Sequence, residues 1–314
     1  MTDDRWERDA LREIALEGIR ERRIARRWSI LFRSLFLAYL VSLVFLARGW
    51  DLGLGVDPDE TAPHAAVVKV NGTLVADGSN RAENIIRGLR DAFEDDRTAG
   101  VILQINSPGG SPVQASQIND EVRRLKERYP DIPLYAVAED MFTSGAYYVA
   151  VSADRIFVDR ATLIGSIGVL MNSFGFHEAM ERLGIERRLY TAGDNKAMLD
   201  PFSEAAEHEV TYIKGLLDEV HQQFIDAVKL GRGDKLADDD TLFSGLIWTG
   251  EKGIELGLAD EIGNVHQVAR DVLETDRIRD FTPRPNILQQ LAGRMGSSVG
   301  ERISEALLGQ NGMR

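Results

Sequence analysis

The sequence predicts an α/β protein with a mainly parallel sheet, preceded by one N-terminal transmembrane helix. Two patterns lead to this. From Ala65 onward, short β-rich runs alternate with segments of helical spacing, and repeated βα units of that kind place helices outside a parallel sheet. Ahead of them lies an apolar run, Trp28 to Ala47, whose 20 residues include one charge, Arg33.

Composition sets the outer limits. The chain has 314 residues, with 37 Lys+Arg against 50 Asp+Glu and a net charge of −13. That balance disfavours a nucleic-acid binder, which needs a basic face to neutralise phosphates. At 44% hydrophobic residues the chain is too apolar for global disorder. It contains no Cys, which excludes disulfides, thiolate nucleophiles and cysteine-ligated metal sites.

As a helix, the apolar run spans roughly 30 Å, the depth of a bilayer's hydrocarbon core. Arg33 sits near its start, where a long side chain snorkels back to the head groups. The preceding segment, Arg20 to Arg27, holds five Arg and one Glu, whereas only Arg48 follows closely on the far side. The positive-inside rule then leaves residues 1–27 in the cytoplasm as a charged lead and carries everything beyond a 28–48 anchor across the membrane. A cleavable signal peptide is the competing explanation. Against it, the 27-residue lead is long for an n-region, and no small-x-small site precedes Arg48.

Residues 49–64 are rich in Gly, Pro and Asp without periodicity and read as a linker. Ala65 to Val70 is a strand closed by the Asn71-Gly72 turn signal. Ala82 to Phe93 is helical through Ile85, Ile86, Leu89 and Phe93. Gly100 to Ile105 is a continuous apolar run, as in a strand covered on both faces. Gln114 to Arg128 is helical, Leu134 to Ala138 a strand, and Ser144 to Ala153 a helix. Ile156 to Val158, Gly168 to Met171 and Arg187 to Tyr190 read as brief strands, with a helix at His177 to Leu183. A long amphipathic helix covers Glu204 to Leu230, and Thr249 to Leu256 and Val265 to Thr275 supply two more. The tail, 279–314, mixes Gly, Ser and Arg and holds a short amphipathic stretch at Ile303 to Leu308.

Three motifs follow predicted strands, where α/β folds place their sites. The first is Asn106-Ser107-Pro108-Gly109-Gly110-Ser111. Its paired glycines let the backbone turn sharply and present N–H groups beside a helix N-terminus, an arrangement suited to an oxyanion. Taken alone, Pro-Gly is ordinary turn punctuation. The second, Asp140 to Tyr148, puts Ser144 at the start of an apolar helix with Gly145 directly after it. Such a serine is either an N-cap or a nucleophile assisted by the helix dipole and the Gly145 N–H. The third, Thr191 to Pro201, is a loop that holds Lys196. A loop lysine is commonly a solvated charge, but a desolvated one can serve as the base that a serine hydroxyl needs.

In order and spacing these motifs resemble those of the S49 family of serine peptidases, the membrane-anchored SppA-type signal peptide peptidases in their short, single-domain form. The pieces that carry the resemblance are Asn106 to Gly110, Thr143-Ser144-Gly145 with Tyr147-Tyr148, and Gly165-Ser166-Ile167-Gly168-Val169. They continue with the loop from Gly193 through Lys196 to Pro201, Lys229 to Gly233, Trp248 to Glu251, and Gly257 to Gly263.

The resemblance implies a ClpP/crotonase-like βα spiral, with the peptidase domain at 65–278. It implies that Ser144 is the nucleophile, Lys196 the general base and Ser166 the hydroxyl that orients the lysine, with oxyanion donors around Gly110 and Gly145. No cofactor and no metal are implied. Also implied are peptide substrates such as released signal peptides and unfolded segments, and a homo-oligomeric ring or dome in which Ser and Lys come from adjacent protomers. The expected location is the cytoplasmic (inner) membrane, single-pass, with the catalytic domain on the outer side. The chain departs from the family pattern at Ala192, at Leu199-Asp200 and at Ser244 to Ile247, which bears on substrate preference.

A ClpP-like Ser-His-Asp protease is the main rival. The histidines available to it are His64, His177, His208, His221 and His266, and none lies in a matching motif. A crotonase-type acyl-CoA enzyme is a weaker rival, and a catalytically silent membrane-anchored scaffold is the rival from outside the enzymes.

Overall fold

The computed structural model describes residues 26–42, 62–78 and 80–283. The chain divides into two units, Met1–Thr61 and Ala62–Arg314. In the first, a helix (α1) covers 26–42 with its side chains exposed. The expected anchor continues to residue 48, and its last part lies outside the described residues. So do most of the charged lead, most of the linker and the tail beyond 283, including the stretch at Ile303 to Leu308. Among the described residues, no helix is long and apolar enough to cross a membrane.

The second unit is a sheet covered by helices. Its strands are β1 (His64–Asn71), β2 (Thr98–Ser107), β3 (Leu134–Thr143), β4 (Arg155–Val158), β5 (Leu163–Gly165), β6 (Ile247–Thr249), β7 (Glu261–Ile262) and β8 (Ile278–Asp280). The main path runs β6-β5-β3-β2-β1-β8, with β4 pairing β3 and β7. Every pairing is parallel except that of β5 with β6. The expected mainly parallel α/β architecture is therefore present.

Alternation along the strands sends side chains to two separate cores. Val68, Leu103 and Ala136 point to the larger one, where they meet α2 (Ala82–Glu94), α3 (Pro112–Arg128) and α4 (Gly145–Ala150). Val67, Ile102 and Val137 point to the smaller one, with Phe157, Val268 and Ala269. Helix α2 buries Ile85, Leu89, Ala92 and Phe93 as a single stripe, the spacing that predicts it. Helix α3 begins where Ser111 Oγ accepts the Gln114 N–H and Pro112 occupies the first turn, a favourable start because proline's missing N–H is not needed there.

Several expectations fail locally. Gly168 to Met171 forms no strand; the strand of this region is β5, which begins five residues earlier. Arg187 to Tyr190 is likewise irregular. Strand β3 continues five residues beyond Ala138, and the helix after it is only Gly145–Ala150. The last predicted helix opens as α over Val265–Gln267 (α8) and widens into a π turn over Val268–Val272. The remaining helices are α5 (His177–Arg182), α6 (Glu207–Arg232) and α7 (Gly250–Glu255).

Candidate active site

Strand β3 holds the site because it divides its partners. Tyr135 to Val137 pair with β4, whereas Met141 to Thr143 pair with β5, and Phe142 also pairs with Ser107 of β2. Its carboxyl end is thus clamped on both sides, and the next residue is Ser144. This residue has φ 54° and ψ −128°, a left-handed conformation that costs a side-chain-bearing residue about 1–3 kcal/mol. The surroundings fix it there: Ser144 N–H donates to Gly165 O at 2.8 Å, and Ser144 O accepts the Tyr148 N–H at 3.1 Å. The abrupt change from strand to helix at a strained serine has the form of a nucleophile elbow.

The Gly109-Gly110 turn packs directly on this elbow. A methyl group on Gly109 would meet Gly145 N at 2.6 Å and Ser144 Cβ at 2.8 Å, and one on Gly110 would collide with Leu74 O. Leu74 secures the turn from the other side, donating its N–H to Gly109 O and accepting that of Ser111, both at 2.8 Å. The Gly109 N–H goes to Ser107 Oγ at 3.1 Å. That leaves the Gly110 N–H, beside Gly145, and the Gly145 N–H itself, which has no partner in α4 because it opens the helix. Two backbone donors aimed at one point beside a serine hydroxyl would stabilise an oxyanion.

A cleft of about 670 Å³ opens over Ser144. Gly110, Gly145 and Ser166 line it together with Val113, Tyr148, Val169, Leu170, Val220 and Phe224. Ser166 is the second strained serine of the cleft, at φ 51°, and its N–H donates to Leu246 O at 2.6 Å. Tyr148, which sets one wall, packs against Phe224 of α6 at 5.1 Å between ring centroids, and burial raises its phenol pKa. Among the described residues lining the cleft, Tyr148 alone carries an ionisable side chain; no His, Lys, Asp or Glu belongs to it.

Four of the five residues expected at the site are therefore brought together: Ser144, Ser166, Gly110 and Gly145. Lys196 is not among the lining residues. It lies exposed in a loop whose backbone turns on the Lys196 N–H to Gly193 O bond at 3.1 Å. That loop is braced by Asp200, which pairs with Arg187 and accepts from Ser203 Oγ at 2.7 Å. Arg187 in turn covers the Phe202 ring at 5.0 Å. Among the described residues, Leu170, Phe174, Leu183 and Tyr190 are each more than 70% exposed, and Leu170 also lines the Ser144 cleft.

Sequence reasoning alone does not single out Tyr148 or Phe224. The Tyr147-Tyr148 pair of the second motif is a usable signal for the first. Phe224 sits at helical spacing in α6, where a cleft residue and a core residue look alike.

Comparison with known proteins places this geometry. Residues 126–278, which include Ser144, Ser166 and Lys196, match the model of peptidase family S49. The chain is 39% identical over 209 residues to a Na(+)/H(+) antiporter NhaA of Brucella abortus, covering 65% of this chain and 28% of that protein. It is 28% identical over 257 residues to a putative signal peptide peptidase SppA of Enterococcus faecium, covering 79% and 74% of the two chains. Protease 4 of Haemophilus influenzae is 30% identical over 207 residues, covering 64% of this chain and 33% of that one. The chain thus spans less than a third of the Brucella protein but most of the Enterococcus one. Over residues 126–278 it is similar to peptidase family S49, and over most of its length to a putative signal peptide peptidase of the SppA type.

Proposed function

We propose that this chain is a membrane-anchored serine endopeptidase that hydrolyses apolar peptides, such as released signal peptides, with a Ser144–Lys196 dyad. The observation that carries the reading is the strained Ser144 elbow flanked by the Gly110 and Gly145 N–H groups at the foot of a largely apolar cleft. In this reaction the neutral Lys196 amine takes the proton from Ser144 Oγ, which attacks the peptide carbonyl. The two backbone N–H groups hold the oxyanion, and Lys196 returns its proton to the leaving amine. Water then releases the acyl group from Ser144 by the same steps. Ser166 orients the lysine.

The lining of the cleft supports delivery of the base by a second copy. A hydroxyl without a base is a weak nucleophile, and exposed apolar side chains such as Phe174, Leu183 and Tyr190 are of the kind that join copies. A homo-oligomeric ring or dome seated on the membrane, with a ClpP/crotonase-like spiral in each copy, is the assembly that fits. The 28–48 anchor and its flanking arginines favour a catalytic domain on the outer side of the cytoplasmic membrane.

The test is labelling by a fluorophosphonate serine probe followed by peptide mapping. Modification at Ser144 in the native chain, its loss in Ser144→Ala, and cleavage of apolar peptides by the native chain alone are the expected results. A native chain that neither labels at Ser144 nor cleaves peptides is a scaffold and not an enzyme.

A further inference from the structure

Helix α6 supplies one wall of the Ser144 cleft through Val220, Gln223 and Phe224, and the strip that follows β5 supplies another through Ser166, Gly168, Val169 and Leu170. A directional contact joins these two walls. His221 Nε2 lies 3.1 Å from Ile167 O. A carbonyl oxygen only accepts, so Nε2 carries the hydrogen in this bond. It does so in both the neutral Nε2–H tautomer and the imidazolium, so the bond does not depend on the charge of the ring.

The placement of Ile167 gives the bond its reach. Its side chain is fully buried, whereas its neighbours on both sides face the cleft. Two residues upstream, Gly165 O receives the Ser144 N–H, and one residue upstream the Ser166 N–H is taken by Leu246 O. The strip is thus pinned to the elbow at its start and to α6 at its centre. The Phe224–Tyr148 contact also joins α6 to the cleft, but an apolar contact is non-directional and sets no fixed spacing.

We infer that His221 is a positioning residue for peptide binding: its Nε2–H fixes the distance between α6 and the 166–170 strip, and with it the width of the groove that receives the substrate. The inference rests on the reading of this cleft as the peptide site. It makes His221 neither a base nor a nucleophile, because the ring nitrogen that faces the cleft wall is already committed to Ile167 O.

The experiment measures binding of a fluorescein-labelled apolar peptide to the full chain carrying Ser144→Ala, by anisotropy, so that no turnover is needed. His221→Ala should raise Kd about tenfold. His221→Gln, whose amide nitrogen reaches about as far as Nε2, should recover binding to within about threefold of the parent. His221→Asn, one carbon shorter, should bind as weakly as the alanine variant. Alanine is a better helix former than glutamine and asparagine a poorer one, so weak binding by both with recovery in glutamine does not reduce to helix stability. In the chain with Ser144 intact, His221→Ala should still be labelled by the serine probe at Ser144, because Gly165 O and the Tyr148 N–H hold the elbow. Binding unchanged in His221→Ala, glutamine no better than asparagine, or labelling at Ser144 abolished in His221→Ala would each overturn the inference. Absence of labelling in the native chain sinks the peptidase reading instead, and the binding series still decides the role of His221.

Discussion

The backbone N–H of Ser144 donates to the carbonyl of Gly165 at 2.8 Å. This single bond ties the elbow at the end of β3 to the end of β5, directly before the second strained serine, Ser166. The candidate nucleophile is therefore held by a neighbouring strand end as well as by its own helix.

Gly165 has no room to vary. It sits at φ 106°, and a methyl group there would meet the Trp248 ring at 2.6 Å. Gly165→Ala should cost at least about 2 kcal/mol in denaturant unfolding. Peptidase activity should fall by more than about a hundredfold, because the displaced carbonyl lets go of Ser144. A variant with native stability and turnover would contradict this account of the elbow.

Ser144→Gly separates chemistry from strain. Glycine adopts φ 54° without penalty, so the variant should be inactive yet more stable than the native chain by about 1 kcal/mol. Thermal or urea unfolding measured beside an activity assay checks both halves, and a less stable variant argues that the backbone at 144 is not strained.

Lys196→Ala should abolish peptidase activity without changing the melting temperature, since the side chain is exposed in its loop. If the base comes from an adjacent copy, mixing inactive Ser144→Ala with inactive Lys196→Ala should restore part of the activity. Mixtures that stay silent, with both variants assembled, place the two residues in one copy.

Asp260 should contribute to acid stability. Burial pushes its carboxyl up, but hydrogen bonds from Arg232, Lys235 and the Ile156 N–H outweigh this and hold it down at about 2, from an ordinary 3.8. The folded carboxyl has the lower pKa, so its contribution is complete above the ordinary value and is lost as pH falls from about 4 toward 2. Asp260→Asn should remove that dependence and cost about 3 kcal/mol at neutral pH, because it leaves the buried Arg232 without its counter-charge.

His64 should act at milder acidity. It is buried at the start of β1, stacked on Phe281 at 5.7 Å, and its Nε2 has no hydrogen-bond partner among the described residues. Burial lowers its pKa from 6.5, Asp95 opposes that, and Arg279 and Arg97 reinforce it. The unfolded chain then takes up the proton first, so stability is full above pH 6.5 and declines as pH falls below it. His64→Phe, which keeps the stacking on Phe281, should flatten unfolding free energies measured between about pH 6.5 and 5.

Much of this is legible in the residues. The continuous apolar run of β2, the helical stripe of α2 and the glycine pair after Pro108 each describe an environment that the fold supplies. The errors share a cause, which is that short segments take their structure from partners. The residue pattern ends β3 at Ala138, because Glu139 and Asp140 break its apolar run; the strand continues because β5 and Ser107 pair with its far end. Gly168 to Met171 reads as a strand because it is apolar, and it is apolar because Gly168, Val169 and Leu170 face the cleft. The meeting of Ser144 with Gly110 and Ser166 depends on the parallel order of the sheet, which no local pattern encodes. His221 reads as a helix-surface or core residue, since its partner is a carbonyl 54 positions away.

The walls around Ser144 contain no acid or base except the phenol of Tyr148 among the described residues. A solitary copy, on the proposed reading, carries a hydroxyl that is loaded but unarmed. Newly synthesised chains are then harmless to one another until they become crowded, and output climbs more steeply than abundance. Dilution alone would disarm the enzyme, with no inhibitor and no propeptide required.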